Sequence, residues 1–383
     1  MSIRGKTAIV GIHEYESRFD PFASYLSIQA DSARRALDDA GLTIKDVDGL
    51  FSHAGWTLAE YMNLYPKVMD TTQMGGGSYE FFIAHAAAAI AAGHCEVALI
   101  THGQTARSEQ RNTGTRGTTS RTVPFIPDSF EAPYGTTTVG SYAMVARRHM
   151  AQYGTTSEQL AEIAVATRKH ASTNPFAVFR DPITVEDVIN SRMVSDPLHL
   201  LDCCIISDGG GAVIVTSAER AKDLKHDPVY VLGTGQAVAH PGIGNRDITF
   251  IAAAQSSGRA FAEAELTPED IDMAMIYDSY TITVMCGIED LGFCEKGEGG
   301  SFVENGTLNI DGRLPINTDG GGLSSNHPAG RGIFLLFEST RQLRHERSEN
   351  QVPDCNVAVA HGTGGSILAR HSGGTVVLGR NHY

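Results

Sequence analysis

Residues 34–50 read RRALDDAGLTIKDVDGL, and residues 258–274 read GRAFAEAELTPEDIDMA. They align without a gap at a constant offset of 224 residues. Arg35, Ala36, Ala40, Leu42, Thr43, Asp46 and Asp48 thus recur as Arg259, Ala260, Ala264, Leu266, Thr267, Asp270 and Asp272. Each copy reads as an amphipathic helix, a polar turn and the start of a strand. A repeat at this distance marks a duplicated unit. Neighbouring strands recur with it. Thr7-Ala-Ile-Val-Gly11 resembles Val229-Tyr-Val-Leu-Gly233, and Val97-Ala-Leu-Ile-Thr-His-Gly103 resembles Val357-Ala-Val-Ala-His-Gly362. Gly211-Ala-Val-Ile-Val215 resembles Gly374-Thr-Val-Val-Leu378. Such runs, with no polar alternation, suit strands buried on both faces. Strand and helix alternate, which predicts an α/β fold of two mixed-sheet halves covered by helices.

The halves divide at 1–222 and 223–383. The first carries an insertion at about 104–209, with helix-like stretches at 140–152 and 156–170. It is expected to lie over one face, where a substrate would be covered. Hydrophobic content of 42% and charged content of 19% fit a globular chain. The net charge of −14 disfavours nucleic acid and anionic membrane as partners. One basic stretch stands out: Arg107, Arg111, Arg116 and Arg121 face a single acid, Glu109. It is either a solvated loop or a landing site for a polyanion. Six cysteines without C-x-x-C spacing argue against zinc and against a disulfide framework. Residues 1–6 show no apolar signal region, and the apolar run 81–92 is too short to span a membrane, so a cytoplasmic protein is expected.

Two glycine-rich motifs make the fold specific. Residues 317–332 read NTDGGGLSSNHPAGRG, and residues 361–365 read HGTGG. With the duplication, the first-half insertion and DCCIISDGGG at 202–211, they resemble the thiolase superfamily, above all its sterol-carrier-protein-like branch. The resemblance spans nearly the whole chain. It implies a thiolase fold, with duplicated halves in a layered αβαβα core, and an acyl-coenzyme A thioester as substrate. It also implies roles. His327 falls on the histidine that holds the thioester oxygen or activates the nucleophile, although Arg331 stands where the family has a small residue. His361 falls on the acid/base cysteine, and histidine suits that task because its pKa lies near working pH. The N–H of Thr363 falls on part of an oxyanion hole. Tyr277, in Tyr-Asp-Ser-Tyr, falls where thiolases have an Asn-Glu or His-Asp motif. The arginines 107, 111 and 116 would receive the CoA phosphates.

The departure lies at the nucleophile. Its position is Gly76, in Met74-Gly-Gly-Gly-Ser-Tyr79, with no cysteine nearby. Ser78 is two residues away, but a serine needs a positioned base. Gly76 either permits close helix packing or bares N–H groups for a carbonyl. Glycines here, with Tyr277, resemble the steroid side-chain retro-aldolases of the thiolase fold, which carry a second tyrosine where this chain has His327. Three functions follow: retro-aldol cleavage of a β-hydroxyacyl-CoA, slightly favoured; Claisen-type acyl transfer without the cysteine; and a non-catalytic subunit. The family also implies a homodimer and, in this branch, a small zinc-ribbon/OB-fold partner protein. No metal is expected in this chain. Acyl specificity is expected in the loops 52–74 and 105–140. The remaining conspicuous residues have plainer readings, His85 as a packed or capping histidine and Cys203-Cys204 as buried filler.

Overall fold

The computed structural model describes residues 2–109, 137–240, 246–366 and 369–381. The first half runs β1 (Thr7–Glu14), α1 (Tyr25–Ala40), β2 (Gly49–Phe51), α2 (Gly55–Met62), β3 (Val68–Asp70), α3 (Ser78–Ala91) and β4 (Val97–Gln104). The insertion contributes α4 (Thr138–Tyr153), α5 (Ser157–Ala171), α6 (Val185–Asn190) and a hairpin, β5 (Met193–Ser195) with β6 (Leu198–His199). Then come β7 (Gly209–Ser217), α7 (Ala218–Ala221), β8 (Val229–His240), α8 (Ala253–Ala264), β9 (Met273–Ile276) and α9 (Thr281–Asp290). The chain closes with α10 (Gly299–Phe302), α11 (Gly332–Leu343), β10 (Val357–Ser366) and β11 (Ala369–Gly379).

The main sheet has the order β3-β2-β4-β7-β1-β8-β11-β10-β9. Read outward from the short β1–β8 contact, β1-β7-β4-β2 is matched by β8-β11-β10-β9. The repeat residues explain why both halves fold alike. Thr43 and Asp46 close a polar turn by a capping box, and Thr267 and Asp270 do the same. Asp48 accepts the N–H groups of Glu96 and Val97 at 2.8 and 2.9 Å, pinning the start of β4. Its copy Asp272 accepts those of Asn356 and Val357 at 2.7 and 2.9 Å, pinning β10. Gly11 and Gly233 let α1 and α8 press on the sheet: an added Cβ would lie 2.8 Å from Ala40 Cβ or 3.0 Å from Ala264 Cβ.

Strand residues alternate between two apolar layers. Val97, Leu99, Val357 and Val359 join the cluster of α1 and α8. Ala98, Ile100, Ala358 and Ala360 join the cluster of α3 and α11, which touches both half-sheets. The order is therefore αβαβα, with α3 and α11 in the middle. The insertion is tied to the second half by a buried polar contact: in α4, His149, which also meets Thr155 at 2.7 Å, reaches Glu289 of α9 at 3.0 Å. No helix among the described residues is long and apolar enough to cross a membrane.

Candidate active site

The middle layer is where the chemistry converges. Strand β9 ends at Ile276, whose N–H and C=O are both held by the Asn317 side chain at 2.9 Å. Tyr277 follows, and its N–H donates to the His361 carbonyl at 3.0 Å. That clamp aims the Tyr277 ring at the 75–77 turn that opens α3. An added Cβ at Gly76 would lie 2.5 Å from Tyr277 Oη, so the phenol fills the space a side chain at residue 76 would need. Gly76 is thus a matter of room for the phenol.

Tyr277 Oη lies 3.1 Å from His327 Nε2, and the two rings stand at 89°. Burial, reinforced by nearby Cys204, pushes the Tyr277 pKa well above the ordinary tyrosine value. Burial, and then the Arg331 charge, lower that of His327 to about 4. Near neutral pH the pair is therefore a phenol beside a neutral imidazole. His327 Nδ1 is buried and has no partner.

The loop carrying His327 is anchored on both sides. Arg331, fully buried, donates to Asp319 at 2.7 and 2.8 Å, to Asp278 at 3.0 Å and to Asn326 Oδ1 at 3.1 Å. Burial opposes its charge, but Asp319 and Asp278 outweigh that and raise its pKa. Asp278 also accepts the N–H groups of Gly322 and Leu323. On the other side, His102 of β4 donates from Nε2 to the Pro328 carbonyl at 2.9 Å. Its Nδ1 then accepts the Tyr79 hydroxyl. Burial lowers the His102 pKa to about 3, which keeps it in that neutral tautomer. The His327 N–H donates to Ser207 Oγ at 3.0 Å.

Tyr277, His327 and Gly76 come together as the sequence implies, and the Thr363 nitrogen faces the 75–77 turn, 3.2 Å from an added Cβ at Gly77. Two expectations are corrected. His361 points away from Tyr277. It lies on the α8 face of the sheet, where Nδ1 meets Thr375 Oγ1 at 2.9 Å and Thr375 meets Ser256 at 2.7 Å. An added Cβ at Gly373 would lie 2.9 Å from both Ala252 Cβ and the imidazole, which places the ring on that side. Successive residues of a strand face opposite ways, so the residue of β10 on the Tyr277 side is Gly362. Ser78 is not available to a substrate either: fully buried, its hydroxyl accepts Met74 N–H and donates to the Gly75 carbonyl, both at 2.8 Å. Arg107 stacks on Phe19 at 5.2 Å, and Arg111, Arg116 and Arg121 lie outside the described residues.

The sequence reading missed Glu80, Tyr79, His102 and the Asp278–Arg331–Asp319 cluster. A signal existed for Glu80, the single charged residue of α3, SYEFFIAHAAAAIA. Arg331 was noticed only as a departure from a motif. Among the described residues no group of three His, Cys, Asp or Glu side chains could hold a metal ion.

Comparison with known proteins agrees with this architecture. Residues 235–380 match the family described as thiolase C-terminal domain-like. The chain is 36% identical over 376 residues to an acetyl-CoA acetyltransferase of Methanothermobacter thermautotrophicus, covering 94% of this chain and 96% of that one. It is 38% identical over 379 residues to a steroid side-chain-cleaving aldolase of Thermomonospora curvata, with the same coverage. Among solved structures, the Ltp2-ChsH2(DUF35) aldolase superimposes with a TM-score of 0.88 at 34% identity, covering 98% of both chains. The chain belongs to the thiolase superfamily, in its sterol-carrier-protein-like branch, and is an enzyme of that superfamily.

Proposed function

We propose that this enzyme cleaves the Cα–Cβ bond of a β-hydroxyacyl-CoA, releasing a shorter acyl-CoA and an aldehyde or ketone. The observation that carries the reading is the phenol of Tyr277 in the side-chain space of residue 76. A covalent acyl-enzyme would need a nucleophile at that point, and Ser78 is committed to the turn. Burial also holds the thiols of Cys203 and Cys204 well above their ordinary pKa, so neither is a ready thiolate. A retro-aldol cleavage needs no covalent intermediate. It needs a group that takes the β-hydroxyl proton and donors for the enolate oxygen.

Tyr277 and His327 supply the first. The phenolate is disfavoured by burial, so the proton passes through the tyrosine hydroxyl to the imidazole. The imidazolium is opposed by Arg331 until the substrate becomes an enolate, whose negative charge favours it. The N–H groups of the 75–77 turn and of Thr363 are the candidates for the enolate oxygen. The similarity to two aldolases supports this chemistry, while the acetyltransferase relative supports the Claisen alternative.

The substrate class is an acyl-CoA thioester. We further propose a homodimer. Strand β3 is an edge of the sheet, and Trp56, Tyr61 and Tyr65 beside it are 70%, 55% and 84% exposed. The name of the solved neighbour pairs its aldolase with a DUF35 protein, which supports a small partner protein here.

The test is to incubate the enzyme with β-hydroxyacyl- and β-ketoacyl-CoA panels, with and without free CoA, following products and intact protein mass. The expected result is carbonyl release from hydroxy substrates with no mass added. CoA-dependent cleavage of keto substrates with an acyl adduct would overturn the reading.

A further inference from the structure

Glu80 lies in the first turn of α3 and is 1% exposed, and no residue other than its own backbone N–H offers its carboxyl a hydrogen bond. Burying a carboxyl so poorly paired is costly, and an apolar side chain of similar size would avoid the cost. Burial holds its pKa well above the carboxylate range, so near neutral pH it keeps its proton.

Glycines from three other segments make room for it. An added Cβ at Gly362 would overlap the carboxyl group, one at Gly332 would lie 2.6 Å from Oε2, and one at Gly374 2.7 Å from Glu80 Cβ. The Gly332 Cβ would also overlap the Gly76 carbonyl, so the carboxyl and the 75–77 turn converge on one point. Gly362 is the β10 residue on the Tyr277 side. Glu80, the opening turn of α3 and Tyr277 therefore share the middle layer, and two backbone positions are bare where the acid sits. A buried polar group left without a partner calls for an explanation, and a catalytic role is one that this position, beside the opening turn of α3, allows.

We propose that Glu80 is the acid that protonates the enolate carbon after the Cα–Cβ bond breaks, a step that rests on the retro-aldol reading. The β-hydroxyl O–H bond breaks and its proton goes to the Tyr277–His327 pair. The carbonyl of the leaving product forms as the Cα–Cβ electron pair moves into the enolate. The enolate carbon then takes the proton of Glu80, forming the Cα–H bond and leaving a carboxylate. Return of the imidazolium proton to that carboxylate restores both groups, and no oxidant or reductant is involved.

Glu80→Gln tests the step, because the amide keeps the shape and has no acidic proton. Two rates are read: carbonyl release from the β-hydroxyacyl-CoA panel, and exchange of the Cα hydrogens of the product acyl-CoA with solvent deuterium. The expected result is a loss of about 100-fold in kcat, a KM within about threefold, loss of exchange, and a melting temperature equal to or above wild type. Glu80→Leu carries the same readouts should the amide fail to fold. A variant that keeps wild-type kcat and exchange overturns the proposal. A wild-type enzyme that exchanges Cα hydrogens but releases no carbonyl would overturn the retro-aldol reading alone, and the exchange rates of the variants would still decide the role of Glu80.

Discussion

Gly76 stands two residues before α3 and leaves its side-chain space to Tyr277; Gly330 stands two residues before α11 and leaves its space to His102, 2.6 Å from an added Cβ. The two glycines open corresponding middle-layer helices, although the rings come from non-corresponding strands, β9 and β4. In each, a ring from the end of a strand in one half reaches the glycine that opens the middle-layer helix of the other. They differ in how their polar atoms are satisfied. His102 uses both ring nitrogens, on Tyr79 and on the Pro328 carbonyl. The repeat offset puts His53 in the place of Tyr277, and His53 packs on Tyr79 and Phe82 with ring centroids 5.7 Å apart. At the Tyr277 end, His327 Nδ1 and the Glu80 carboxyl have no partner beyond Glu80's own backbone, and in the first half His53 Nε2 is likewise buried without one. One frame thus yields a support at His102, whose hydrogen bonds close, and a reaction site at Tyr277 and His327, where one imidazole nitrogen stays open.

Filling the two glycines is the strongest test of that contrast. Gly76→Ala and Gly330→Ala should each cost about 1–3 kcal/mol of stability, since both force a side chain into a packed ring. Turnover should separate them. Gly76→Ala displaces the reacting phenol and should lower kcat by about a thousandfold. Gly330→Ala disturbs only the support of the His327 loop and should lower it about tenfold, because the His327–Tyr277 contact is not itself struck. Urea melts with steady-state kinetics on the same preparations would show this, and equal losses of turnover would break the comparison.

A gentler pair sharpens it. His102→Leu removes the bonds to Tyr79 and Pro328 and leaves their polar atoms buried without partners, at about 1–3 kcal/mol. His102→Gln can still donate to the Pro328 carbonyl and accept from Tyr79, so it should recover most of the stability and turnover that leucine loses. The KM of neither should change much, because His102 holds a loop that reacts and does not itself face the reacting atoms. If glutamine is no better than leucine, the imidazole contributes through packing, and the hydrogen-bonded support is the wrong account.

The duplication was legible because its residues have local jobs: Asp48 and Asp272 pin strands, and the paired alanines accept Gly11 and Gly233 at close range. Tyr277 and His327 were legible because glycine-rich motifs flank them. His361 was placed on the wrong side because a motif locates a strand end, while a one-residue difference selects the opposite face of the sheet. The Arg331 cluster was illegible for a different reason. Its partners Asp278 and Asp319 lie 53 and 12 residues away, and only folding brings them together. Glu80 did leave a local trace, a lone acid in an apolar helix, but the helix is hydrophobic nearly all round, so no face in the sequence distinguished it.

The smallest expected effect concerns pH and again separates the two ends. His102 titrates at about 3 in the folded protein and near the ordinary histidine value when unfolded. The unfolded chain therefore binds more protons between those values, and stability falls as pH drops below about 6.5. Relative to pH 8, this one group should remove about 1 kcal/mol at pH 6. His102→Gln has no such proton to bind. Whatever penalty the variant shows at pH 8 should shrink by that amount at pH 6, measured as the difference in unfolding free energy from wild type. Glu80→Gln should move the other way. A buried acid with a raised pKa is protonated more readily folded than unfolded, so it stabilises below its unfolded value and loses that contribution as pH rises. The amide removes this loss, so its stability relative to wild type should be greater at pH 8 than near pH 5. A penalty for His102→Gln that is the same at pH 6 and pH 8 would mean that His102 titrates alike in the folded and unfolded chain. The closed hydrogen-bond chain through Tyr79 would then be the wrong picture of the first half.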